Sequence, residues 1–240
     1  MFRRILNSAL LIFFSVSLLS ASETYLIDTP TASVLDYGSY SAGFRVFSNG
    51  NLLSKIDFGV FKLLNIGVSW ELGKFVGDDR IKVAIPALRI KFRIYDGDMT
   101  LPEVAVGYDG QGYFFDFNRE GNYLQMGKGL YIVAGREFLI EGLTLNAGIN
   151  MSSFSKPRIH GFLNLITSLY KDIIYFMMEF DSMDLKLNDL KLNDLKLNFG
   201  FKFALTEHIS ARCVLRNHYD CDNHKICSER VFKISYSGKF

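Results

Sequence analysis

The side chains able to do chemistry in this chain are few. Its four histidines are His160, His208, His218 and His224, and its three cysteines are Cys213, Cys221 and Cys227. His160 follows Ser152 and Ser153 closely enough to face either across a strand hairpin. An imidazole beside a hydroxyl is the pairing that acyl transfer needs, because the ring takes the proton as the oxygen attacks. At the outer rim of a barrel such a pair would make a lipid-modifying enzyme; at a strand end, His160 reads more simply as an interface or loop residue. His218, Cys221, His224 and Cys227 have the donor types for a metal, but their spacing matches no zinc pattern. Cys221 and Cys227 flank a short polar loop and form a candidate disulfide in an oxidising compartment. Cys213 alternates with Ile209, Ala211 and Leu215 and reads as an apolar strand residue. The sequence holds no Gly-rich phosphate loop, Cys-x-x-Cys, His-Glu-x-x-His or Gly-x-Ser-x-Gly. No catalytic residue, metal or cofactor is therefore assigned.

A second set of residues is charged rather than reactive. Arg45, Asp57, Glu71, Arg89, Lys91, Arg93, Glu179, Lys202 and Arg212 are expected on the wet face of amphipathic strands. Charges removed from bulk water usually occur in pairs, so the first expectation is a structural ladder of the three carboxylates with the six cations. The sharper one is a lumen selective for ions or sugars.

The elements that would position these residues read with a period of two, the period of a strand whose faces meet different surroundings. Phe232, Ile234, Tyr236, Gly238 and Phe240 fall on one face, and Val231, Lys233, Ser235, Ser237 and Lys239 on the other. Leu197, Phe199, Phe201 and Phe203 likewise oppose Asn198, Gly200 and Lys202, and Ile66, Val68 and Trp70 oppose Gly67, Ser69 and Glu71. The pattern predicts strands near 39–47, 54–63, 65–72, 87–95, 102–108, 129–138, 143–151, 159–169, 173–181, 195–205, 208–217 and 229–240. Most have the length of about nine to eleven residues with which a tilted strand crosses a bilayer. Segments 159–169 and 173–181 are apolar on both faces and are compatible with helix as well. Connections alternate between short, at 64, 170–172 and 206–207, and long, at 73–86, 109–128, 182–194 and 218–228. Short turns on one side and long loops on the other are the habit of outer-membrane barrels. The expected fold is all-β: a closed antiparallel transmembrane barrel of about twelve strands, with ten as the alternative count. A soluble secreted β-sandwich that binds a ligand also has alternating strands. It would need a more densely charged outer face than these strands offer.

The ends of the chain agree with export. Met1-Phe2-Arg3-Arg4, the apolar run to Leu19 and the small residues Ser20-Ala21-Ser22 have the order of a secretory signal peptide. The domain reading is thus a signal peptide at 1–22, a periplasmic lead-in at 23–37 and a barrel at 38–240. At 49% hydrophobic and 15% aromatic the chain is too apolar for disorder. Lys and Arg number 27 and Asp and Glu 25, and without Arg3 and Arg4 the two classes balance, so no nucleic-acid partner is expected. The closing Phe232, Ile234, Tyr236, Gly238 and Phe240 resemble the signal read by the bacterial barrel-assembly machinery. That makes this machinery and outer-membrane lipid the expected partners, with a polysaccharide or small solute as ligand. Asp-Leu-Lys-Leu-Asn occurs three times between Asp184 and Asn198. Five is odd, so successive copies turn their leucines to opposite faces, and the spare copies are read as lengthening the loop before the tenth strand.

Several segments resemble the YjbH-like family of bacterial outer-membrane barrels, associated with exopolysaccharide production. They are Ile27-Asp28-Thr29-Pro30-Thr31-Ala32, Pro102-Glu103-Val104-Ala105-Val106-Gly107, Glu179-Phe180-Asp181, and Leu197-Asn198-Phe199-Gly200-Phe201-Lys202-Phe203. The resemblance implies a barrel of a Gram-negative cell envelope and no catalytic residues; this chain departs from full-length members in being far shorter, with a single barrel unit. Together these readings predict a non-enzymatic outer-membrane barrel, either a small porin-like channel or an envelope-associated barrel.

Overall fold

The computed structural model describes residues 23–117, 123–138, 142–154, 158–184, 195–220 and 225–240. The signal peptide, Cys221 with its candidate disulfide to Cys227, the metal grouping around His224, and the spare repeat copies at 185–194 lie outside them.

Alternation gives strands wherever it was read. The elements are β1 (Ser39–Phe47), β2 (Asn51–Phe61), β3 (Leu64–Gly73), β4 (Lys82–Val83), β5 (Ala87–Tyr95), β6 (Glu103–Asp109), β7 (Tyr113–Phe115), β8 (Tyr123–Gln125), β9 (Gly129–Glu137), β10 (Leu143–Met151), β11 (Ile159–Tyr170), β12 (Ile174–Asp184), β13 (Lys196–Ala204), β14 (Ile209–Asp220) and β15 (Lys225–Lys239). Leaving aside the short β4, β7 and β8, twelve strands form one antiparallel ring in which each pairs with its sequence neighbours. The ring closes where β1 pairs with β15, from Ser39 opposite Lys239 to Val46 opposite Phe232. A closed ring has no sheet edge, so every strand's backbone is satisfied inside the apolar layer. β7 and β8 form a separate hairpin within the connection from β6 to β9.

The outer surface is the greasy one. Phe201 is 41% exposed, Phe232 45% and Tyr236 41%, whereas Val231, one residue from Phe232, is 4%. Tyr40 stacks on Phe240 at 6.1 Å and packs against Tyr236 at 5.9 Å, with His208 5.9 Å from Tyr236 on its other side. These rings form part of an aromatic girdle at the end with short turns. A sandwich would turn this face inward, and closure of the sheet rules it out.

Differences from the sequence reading lie at strand ends and in two expected loops, where β4 falls within 73–86 and β7 and β8 within 109–128. β2 begins at Asn51, three residues early, because Ser48-Asn49-Gly50 makes a tight turn with Asn49 at φ 63° and Gly50 at φ 66°. β14 runs on to Asp220 and β15 starts at Lys225, so most of the expected 218–228 loop is ladder. The repeat's last copy enters β13, which starts at Lys196.

Candidate site in the barrel lumen

The lumen holds a segment that the sequence reading placed outside the barrel. Residues 23–37, expected as a periplasmic lead-in, fold into a hairpin that enters from the short-turn end. Tyr25 bridges to Pro30, Leu26 N donates to Thr29 O at 3.0 Å and Thr31 N to Thr24 O at 3.2 Å, with Ile27 and Asp28 at the tip. Leu26, Thr29 and Ala32 are each at most 1% exposed. The chain leaves past β2, where Gly38 N donates to Gly59 O at 2.9 Å. A Cβ on Gly59 would lie 2.0 Å from Asp36 O, so only glycine admits the exit.

So short a hairpin cannot satisfy its own backbone, and the barrel wall supplies the partners. Glu179 on β12, fully buried, accepts from Ile27 N at 2.6 Å, Asp28 N at 3.0 Å, Thr29 N at 3.0 Å and Thr29 Oγ1 at 2.7 Å. Asn198 Nδ2 on β13 adds a contact at 3.3 Å. Asn146 Oδ1 accepts from Ala32 N at 2.9 Å, and Asn164 Nδ2 donates to Thr29 Oγ1 at 2.8 Å and to Pro30 O at 3.1 Å. Lys91 Nζ donates to the carbonyls of Thr24, Thr31 and Ser33. Arg212 reaches the carbonyls of Tyr25 and Leu26 and, with Lys202, the Glu23 carboxylate. At the tip Asp28 pairs with Arg45 and with Arg216, each at 2.6 Å.

Apolar packing completes the plug. Leu26 and Ile27 pack with Phe47, Leu53, Met177, Val214 and Val231, and Ala32 packs with Ala105, Tyr131, Val133 and Phe162. From the opposite end the β7–β8 hairpin brings Tyr113 down onto the tip, where its hydroxyl donates to Asp28 Oδ1 at 2.9 Å and accepts from Arg45 Nη1 at 3.0 Å. Gln125 Oε1 on β8 accepts from Arg216 Nη2 at 3.0 Å. A cavity of about 550 Å³ lies above this contact, lined by Lys128, Asn150, His160, Asp181, Lys196 and Arg216 among others.

All nine expected lumen charges face inward, but the expected ladder is only partly there. Arg89 pairs with Asp57 at 2.7 Å and lies 3.4 Å from Asp109, and Arg93 lies 3.4 Å from Glu103 near the rim. Glu71 and Glu179 contact no cation among the described residues. Glu71 accepts from Asn51 Nδ2 and Phe115 N, each at 3.2 Å, and Glu179 holds the hairpin tip. Arg45, Lys91, Lys202 and Arg212 likewise turn to the hairpin, whose carbonyls and carboxylates would otherwise be buried without partners. His160, Ser152 and Ser153 line the upper cavity, and Ser152 Oγ accepts from Asn150 Nδ2 at 3.1 Å.

Known structures share this architecture. The barrel is similar in fold to the KdgM porin. The TM-score is 0.57 at 7% identity, covering 82% of this chain and 98% of that one. The KdgM porin in complex with disordered oligogalacturonate aligns with a TM-score of 0.54 at 6% identity, over 82% of this chain and 98% of that one. No protein-family model matches the sequence, and no curated protein does. At such identity the likeness is one of fold: a twelve-stranded antiparallel barrel of the outer-membrane porin type.

Sequence reasoning missed the hairpin, Asp28 and Glu23 within it, and the partners Arg216, Asn146, Asn164 and Tyr113. A signal was present. Phe162, Met177, Val214 and Val231 are apolar residues at inward positions, and an apolar inward side chain needs something to pack against.

Proposed function

We propose that this chain is a non-enzymatic porin-type barrel of a Gram-negative outer membrane, exported by a signal peptide and closed at rest by its own N-terminal hairpin. The observation that carries the reading is the hairpin itself, seated in the lumen between the two mouths of the barrel and held mainly by polar contacts. Such contacts hold a segment in place yet can be exchanged for water or solute groups when it leaves. The solute class is a polar or anionic saccharide. The described lumen is rich in Arg, Lys and Asn, and a KdgM porin of like fold has been seen with oligogalacturonate. The surrounding lipid meets the apolar outer band, and the strand ending in Phe240 is the element for the barrel-assembly machinery. The resemblance to YjbH-like barrels supports an envelope-polysaccharide role, since Ile27-Asp28-Thr29 and Glu179 are bonded to one another at the hairpin tip.

The test locks the hairpin. A Cβ on Gly135 would lie 2.9 Å from the Cβ of Ala32 and 2.1 Å from Asn146 Oδ1, closer than the roughly 3.5–4.5 Å that a disulfide spans, so the bridge forms with a small outward shift of the hairpin and of the Asn146 amide. In a background lacking the native cysteines, Ala32→Cys with Gly135→Cys is expected to give a barrel silent in planar bilayers when oxidised and conducting in bursts when reduced. A barrel with the same steady conductance in both states overturns the reading.

A further inference from the structure

Beneath the hairpin, on the short-turn side, the wall carries cations where a ladder should avoid them. Lys202 on β13 is directly opposite Arg212 on β14, and Arg212 is directly opposite Lys233 on β15. Like charges in register on neighbouring strands repel. A fourth cation, Lys55 on β2, faces Gly43 of β1, and Gly43 faces Ser235 of β15. A Cβ on Gly43 would lie 3.0 Å from Lys233 Cε, so the lysine stem crosses the bare glycine toward Lys55.

Four carboxylates line the same chamber: Glu23, Asp57 and, from the short turns, Asp172 and Glu207. Glu23 takes Lys202 at 2.8 Å and Arg212, whereas Asp57, at the same level, is held by Arg89. Lys55 and Lys233 make neither a hydrogen bond nor an ion pair among the described residues, and the Lys55 ammonium lies 5.2 Å from the Tyr25 ring. Arg212 Nε and Ser235 Oγ are buried and lack a hydrogen-bond partner among the described residues. All six groups line one chamber of about 70 Å³. At roughly 10–15 Å³ per water-sized probe that is space for a few waters or one oxyanion, not a sugar chain.

We propose that this chamber binds a single oxyanion, a phosphate or the carboxylate of a sugar acid, and that Glu23 is the internal anion holding its place. Lys55, Lys233 and Ser235 supply the donors that Glu23 leaves unused, and Lys202 and Arg212 are the ones it contests. Because Glu23 is carried by the hairpin, binding and hairpin seating oppose each other. An oxyanion arriving from the short-turn side loosens the base of the plug. This site goes beyond the channel reading and stands whether or not the barrel conducts.

The test is calorimetric titration of the detergent-purified protein with inorganic phosphate and, separately, with galacturonate. Hydrogen exchange of residues 24–34 is followed in parallel. Saturable binding of either ligand is expected, and the tighter of the two identifies the source. Lys55→Gln with Lys233→Gln should weaken it by about tenfold or more, as the loss of charge-assisted hydrogen bonds implies. Glu23→Gln should tighten binding and raise hairpin exchange; it lies outside the barrel wall, so it leaves assembly untouched. Heat-modified migration on gels confirms that both variants are folded barrels. The absence of saturable binding by both ligands, unchanged affinity in the double variant, or weaker binding in Glu23→Gln would each overturn the proposal.

Discussion

Glu179→Ala is the sharpest perturbation of the plug. The wild-type carboxylate accepts from three consecutive backbone N–H groups, those of Ile27, Asp28 and Thr29, and from the Thr29 hydroxyl. Truncation leaves the three N–H groups buried without acceptors as long as the hairpin stays seated, whereas an unseated hairpin gives them water. A buried donor without a partner costs about 1–3 kcal/mol, so the seated state loses about 3–9 kcal/mol relative to the released one. Even about 3 kcal/mol is more than a hundredfold in the seating equilibrium. The assay is hydrogen exchange by mass spectrometry on peptides covering 24–34, with peptides from β13 and β14 as the barrel control. Exchange in the hairpin should rise by about that factor while the control peptides hold. Glu179→Gln keeps one acceptor oxygen and should raise exchange less. Hairpin protection in Glu179→Ala equal to wild type would refute the idea that this carboxylate anchors the tip.

Other perturbations separate plug from wall. Asp28→Asn leaves the Arg45 and Arg216 guanidiniums without their shared carboxylate. Breaking a buried pair costs about 3–5 kcal/mol, so hairpin exchange should again increase, and an unchanged profile counts against the tip network. Gly135→Leu puts side-chain atoms where a Cβ alone would come within 2.9 Å of Ala32 and 2.1 Å of Asn146 Oδ1; conductance should appear without loss of the heat-resistant barrel band. Deleting Phe240 removes the ring stacked on Tyr40 and should lower the outer-membrane yield several-fold, measured by fractionation, leaving the inserted fraction spectroscopically normal. In the 96–102 turn, donors from Tyr95, Leu101 and Thr100 hold the Asp98 carboxyl well below its ordinary value. A depressed carboxylate stabilises the turn above its unfolded pKa and stops doing so only as pH falls through the folded one. Amide protection at Thr100 and Leu101, corrected for intrinsic exchange, should therefore hold from pH 7 down to the ordinary value of 3.8.

The barrel was legible in the sequence because lipid and lumen impose opposite demands on successive residues. That contrast survives in strands such as β5, where Leu88, Ile90 and Phe92 are exposed and Arg89 and Lys91 are buried. What alternation cannot report is what fills the lumen, since an inward polar residue looks alike whether it meets water or a hairpin backbone. Alternation alone makes Glu179 one rung of an ion ladder, because its sequence neighbours say nothing of Ile27, 152 residues away.

The informative residues were those that break the pattern. Met177 and Phe162, inward and apolar on β12 and β11, made those segments resemble buried helix as much as strand. In an open, wet pore each would expose apolar surface to water at roughly 25 cal/mol per Å². Both are at most 1% exposed, Met177 against the hairpin tip and Phe162 beside Ala32. The polar partners follow the same logic from the other side. Asn146, Asn164 and Asn198 sit level on their strands, Asn146 in register with Asn164, and each carries both a donor and an acceptor. A wall meant only for water would have little use for such fixed amides, whereas a wall meant to receive a chain must offer both to every exposed peptide group. Inward apolar residues beside inward amides are thus the combined mark of a lumen built around a peptide, and in this chain that peptide is its own N-terminal segment.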